Sequence, residues 1–124
     1  MAVISSRKIV ELAQAADPKS ALIKGVGDIS KVEILGHNLF VATYIRPEKT
    51  KGGVLRPEEN IREDEFQGNI GLVLKTGEEI TGEEGKWVLF GYNDGLRFRY
   101  NDVPCRIISI ERIRAIVPDP TKVL

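Results

Sequence analysis

Hydrophobic spacing along this chain changes character once, near Lys31. Before it, Ile9, Val10, Leu12 and Ala13 recur on one face of a helix that Ser5 or Ser6 is placed to cap, with Glu11 and Gln14 off that face. Asp17-Pro18 ends that run, because the residue before a proline avoids the helical region. A second short helix is expected over residues 18–24, with Asp17 as its cap and Pro18 at the favoured first position. Gly25 and Gly27 then break it. Beyond Lys31 the apolar runs are short, β-branched or aromatic, and separated by turn residues. Strands are expected over residues 39–45, 70–74, 87–90, 96–100, 103–110 and 113–117. Leu96, Phe98 and Tyr100 alternate with Arg97 and Arg99, the signature of a half-buried strand. Asn101-Asp102 separates two strands at two-residue hairpin spacing, and Asn93-Asp94-Gly95 reads as a turn. Many short strands without helices between them predict a mainly β domain, a small barrel or sandwich, with a partly helical N-terminal arm over residues 1–31.

Residues 46–67 break this pattern. The segment is long and charged, interrupted by Pro47, Pro57, Gly52 and Gly53, with one apolar spot at Val54-Leu55. Long loops in compact domains tend to carry function. Two apolar residues after a glycine pair, on a polar tether, have the form of a docking plug.

Charge and composition narrow the field. The 124 residues suit one domain, with 42% hydrophobic and 29% charged residues. Eighteen basic residues balance eighteen acidic ones, which removes the electrostatic case for nucleic acid or a membrane surface. Cys105 is the only cysteine, so no disulfide within the chain is possible. Residues 1–7 lack the form of a signal peptide, and no apolar run approaches the ~20 residues of a membrane span. The expected location is cytoplasmic.

Catalytic and metal chemistry find little support. His37, the only histidine, lies between Gly36 and Asn38 and reads as a turn residue. Cys105 reads as a small buried strand residue, without a neighbouring histidine to activate it. The two form no ligand-spaced cluster, so neither metal nor cofactor is expected. The acidic residues from Glu58 to Glu65 read as a solvated loop. Gly25-Val26-Gly27 lacks the third glycine and the preceding strand of a dinucleotide loop. Arg97, Arg99, Arg106, Arg112 and Arg114 crowd the last third and read as a polar face or as ion pairs between subunits. No enzyme is expected.

Several separated blocks together resemble a family. They are Val-Ala-Thr-Tyr-Ile-Arg-Pro-Glu-Lys-Thr-Lys-Gly-Gly at 41–53, Gln-Gly-Asn-Ile-Gly-Leu-Val-Leu-Lys at 67–75, Gly-Lys-Trp-Val-Leu-Phe at 85–90, Cys105-Arg106 and Asp119-Pro120. In this order they resemble the GroES-type co-chaperonins, and within them the phage-encoded and phage-like branch. The resemblance spans residues 32–124. It implies a GroES-like irregular antiparallel β-barrel that assembles as a ring, and a mobile loop, here 46–67, that docks on a chaperonin to assist protein folding. The loop positions that carry over are Gly52, Gly53, Val54, Leu55 and Arg56. Subunit contacts between first and last barrel strands carry over to Leu39, Val41 and Thr43 on one side and Ile113, Ala115 and Val117 on the other.

Three features depart from the family. Its plug has three apolar residues, whereas the third position here is Arg56, and loss of one buried aliphatic side chain forfeits about 1.5–3 kcal/mol. The roof segment is reduced to residues 76–85. Residues 1–31 are an added arm. These features suit an alternative, a virion structural protein (a head decoration or tail component) that reuses the barrel as an assembly module.

Overall fold

The computed structural model describes Leu12, residues 17–45 and residues 69–123. Among the described residues, the helix α1 (Pro18–Val26) precedes six strands: β1 (Asn38–Thr43), β2 (Ile70–Thr76), β3 (Trp87–Leu89), β4 (Leu96–Tyr100), β5 (Val103–Ser109) and β6 (Ala115–Val117). The fold is mainly β, and all six strands lie where alternation and turn residues predict them. The strands form one antiparallel sheet in the order β4-β5-β1-β2-β3-β6. This sheet is not closed. Its outermost strands are β4 and β6, so the barrel expected from the resemblance is not completed by the described strands.

The helix starts as the sequence predicts. Asp17 Oδ1 accepts the Ser20 N–H at 3.4 Å and Asp17 Oδ2 accepts the Ser20 hydroxyl at 2.8 Å. These bonds favour the carboxylate and hold the Asp17 pKa below its usual value. The end differs from expectation. The helix runs through Gly25 to Val26, because Val26 is buried against the sheet and Gly27 (φ 79°) is the residue that turns the chain away. Between β4 and β5, Asn101 (φ 51°) and Asp102 (φ 65°) both take the left-handed conformation that a two-residue hairpin needs.

Alternation along β1 feeds two separate apolar clusters, one on each face of the sheet. Phe40, Ala42 and Tyr44 join Ile70, Leu72, Trp87, Val103 and Cys105 in the first. Leu39 and Val41 join Val73, Val88, Phe90 and Ile108 in the second. The first cluster also contains Leu12, Leu22, Val26 and Ile34, so the N-terminal arm covers one face of the sheet and shares its core. Rings meet edge to face there: Phe40 with Phe98 at 5.4 Å and Tyr44 with Trp87 at 5.6 Å.

One irregularity re-aims a side chain. Phe40 pairs with Lys75 but Val41 pairs with Val73, which leaves Leu74 as the extra residue of a β-bulge. Cross-strand partners share a face, so the bulge sets Lys75 on the side of Phe40, where the arm lies. The Lys75 ammonium donates to the carbonyls of Ile29 (3.0 Å), Ser30 (3.2 Å) and Val32.

Candidate functional site

The residues that flank the segment 46–67 are held in the middle of the sheet. Strand β1 leads into Tyr44 and Ile45, both buried, and β2 begins at Ile70. The Tyr44 N–H donates to the Ile70 carbonyl at 2.9 Å, so the chain leaves and re-enters the sheet at adjacent points. The plug positions Gly52, Gly53, Val54, Leu55 and Arg56 lie outside the described residues, as does the acidic stretch 58–65.

The proposed subunit contacts separate into two groups. Leu39, Val41 and Thr43 lie on β1, which is hydrogen-bonded to β5 on one side and β2 on the other. All three are buried in this chain. A neighbour's last strand therefore finds no free edge on β1, and these residues serve the core. Ile113 packs against the second cluster and Val117 against the first, while Ala115 is exposed.

Among the described residues no strand pairs with the outer edge of β6. Bonds from Phe90 N–H to Asn69 O and from Val73 N–H to Lys86 O set the phase of the β2–β3 ladder, in which Val88 bonds to β2. Trp87 and Leu89 then face β6, opposite Val117 and Ala115. The main-chain N–H and C=O of Ile116 consequently point away from the sheet, and its side chain is 53% exposed. Pro118 follows without an N–H, which shortens the edge on offer. Sequence reading named the odd positions of this strand. Of these only Ala115 meets solvent, together with the even residue Ile116, because Ile113 and Val117 turn towards the two cores.

A second element escaped the sequence altogether. Arg106 reads there as one of a surface cluster, yet it is 1% exposed. It is on β5 between Cys105 and Ile107, facing the side of the second cluster. Its Nη1 donates to the carbonyls of Tyr92 (2.6 Å), Asp94 (3.0 Å) and Gly91 (3.4 Å), and the guanidinium sits 4.9 Å from the centre of the Phe90 ring. Burial, with repulsion from Arg97, pulls its pKa down to about 10, which leaves it charged near neutral pH. The turn 91–95 is thereby built around a cation, with Tyr92 exposed on it. Within the turn, the Gly91 N–H also donates to Asp94 Oδ2 at 3.0 Å.

The remaining candidates are structural in their surroundings. His37 is exposed, 3.7 Å from Glu79, and its carbonyl accepts the Ile110 N–H. Cys105 is buried and its Sγ donates to the Val103 carbonyl at 3.3 Å. Burial pushes the thiol up to about 12, far from a thiolate nucleophile at neutral pH. Among the described residues no three His, Cys, Asp or Glu side chains converge as a metal site, and no helix is long and apolar enough to cross a membrane. The short roof segment folds back on the sheet: Ile80 packs on the second cluster and its carbonyl accepts the Thr76 hydroxyl at 3.1 Å.

Compared with models of protein families and with curated proteins, the chain matches none.

Proposed function

We propose that this chain is a subunit of a co-chaperonin-like ring that docks on a chaperonin through residues 46–67 and assists protein folding. The observation that carries the reading is the set of separated sequence blocks at 41–53, 67–75, 85–90 and 105–106, borne on a mainly β chain whose long loop springs from two adjacent, hydrogen-bonded positions. Roots clamped at Tyr44 and Ile70 give the segment between them a fixed origin. Gly52 and Gly53 supply backbone freedom, and Val54 and Leu55 the apolar side chains. In this reading ring contacts use β6, through Ala115, Ile116 and Val117, rather than β1, and a neighbouring subunit completes the barrel wall. The ring works in the cytoplasm.

A second reading is a virion structural protein. It is favoured by the arm, whose Leu22 and Val26 are built into the core, and by Arg56 in the place of an apolar plug residue. A nucleotide-dependent binding assay on a chaperonin separates the two, using the wild type, Leu55→Asp and Arg56→Leu. A co-chaperonin binds as wild type, loses binding with Leu55→Asp while its ring persists, and binds more tightly with Arg56→Leu. Wild-type binding that survives Leu55→Asp rejects the plug. Absence of binding by both the wild type and Arg56→Leu rejects the co-chaperonin in favour of the virion protein.

A further inference from the structure

We infer that residues 17–35 form a strap, latched to the sheet by side chains, that opens as a unit and uncovers one apolar face while the sheet itself stays folded. The strap consists of α1 and the extended segment after it. It covers the first cluster with Leu22, Val26 and Ile34, and with the partly buried Ala21, Ile29 and Val32. Among the described residues its backbone joins no strand ladder: its backbone-to-backbone hydrogen bonds are local, such as Val32 N–H to Ile29 O, until the Leu35 carbonyl accepts from Asn38. Among the described residues, two side chains reach across to it from strands and turns, besides apolar contact. Lys75 Nζ donates to the carbonyls of Ile29, Ser30 and Val32, which matches the three donors of an ammonium to three acceptors. Asn101 Nδ2 donates to the Val26 carbonyl at the end of α1.

Sheet and strap differ in what they lose on separation. The second cluster (Leu39, Val41, Val73, Val88, Phe90 and Ile108) contains no strap residue. The strand ladders and that cluster survive opening; only the first cluster is exposed. A unit outside the strand ladders, held by apolar contact and side-chain hydrogen bonds, belongs at the low-stability end of the opening hierarchy.

Cys105 reports the event. It lies on β5 in the cluster that the strap covers, it is buried, and it is the only thiol in the chain. The experiment follows its labelling by an aromatic disulfide reagent in the full chain, in parallel with amide exchange at Val41 and Val73. Lys75→Met weakens the latch, and the expected result is at least a tenfold faster labelling, the effect of about 1.4 kcal/mol. Asn101→Gly keeps the left-handed turn and removes the second latch, and labelling is expected to rise severalfold. Val88→Ala weakens only the second cluster, which is equally intact in closed and open forms. Labelling is then expected to stay within about twofold of wild type, while exchange at Val41 and Val73 accelerates more than tenfold, since a buried aliphatic truncation costs more than that factor. Equal acceleration of labelling by Val88→Ala and by the latch variants overturns the inference, because the thiol is then exposed only when the whole domain unfolds. Unchanged labelling in both latch variants overturns it as well.

Discussion

Replacing Arg106 by methionine tests whether the buried cation holds the 91–95 turn. The side chain volume is largely kept, and the thioether can still lie near the Phe90 ring, where the guanidinium now sits at 4.9 Å. What disappears is the donor. Nη1 has two hydrogens for three carbonyls, so the 2.6 Å bond to Tyr92 and the 3.0 Å bond to Asp94 carry the interaction, and the 3.4 Å approach to Gly91 adds little. A hydrogen bond to a charged group contributes about 1.5–3 kcal/mol, giving about 3–6 kcal/mol for two. These are net values, in which the desolvation of the buried guanidinium is already counted. The turn carbonyls regain water as the turn loosens, which limits the cost of leaving them unpaired. The expected net loss is about 3 kcal/mol, or roughly 12 °C in Tm for a chain of this size. Urea unfolding followed by the fluorescence of Trp87, the only tryptophan, measures it directly. Arg106→Lys keeps the charge but not the planar fork, so its loss should lie between zero and that of the methionine variant. A methionine variant as stable as wild type, with an unchanged denaturant slope, would refute the assignment of Arg106 as the support of this turn.

Two further outcomes follow from close packing and from burial. A Cβ added at Gly71 would stand 2.0 Å from Val41 Cγ1 and 3.0 Å from the Ala42 carbonyl, so Gly71→Ala should destabilise by about 1–3 kcal/mol or more in the same urea assay. Because the folded pKa of Cys105 is raised to about 12, the unfolded thiol ionises first as pH rises above its ordinary range near 9. The unfolded state then binds fewer protons, and stability should fall with pH between those values, at up to about 1.4 kcal/mol per pH unit. Cys105→Ala should remove that slope, measured as urea midpoints between pH 8 and pH 11.

Local chemistry alone determined much of this molecule. Alternation in 96–100, β-branched runs at 103–110, the turn pair Asn101-Asp102 and the Asp17 cap are each decided within a few residues, and each is found where the pattern puts it. Such features depend on backbone conformation and on a two-state choice of inside or outside, which neighbouring residues set. Three outcomes required the assembled sheet. Strand order makes β1 central, so Leu39, Val41 and Thr43, which the family resemblance implies as subunit contacts, are buried between β5 and β2 within the chain. Arg106 is an arginine among arginines in the sequence, and only the arrival of the 91–95 carbonyls beside β5 makes its burial favourable. Lys75 follows Leu74 on β2, and strict alternation would place it with Gly71 and Val73; the bulge opposite Phe40 and Val41 turns it to the other face, onto the strap. Nothing local encodes that turn of face, because a bulge is a mismatch in register between two strands, set by how both of them pack, and neither strand's own pattern contains it.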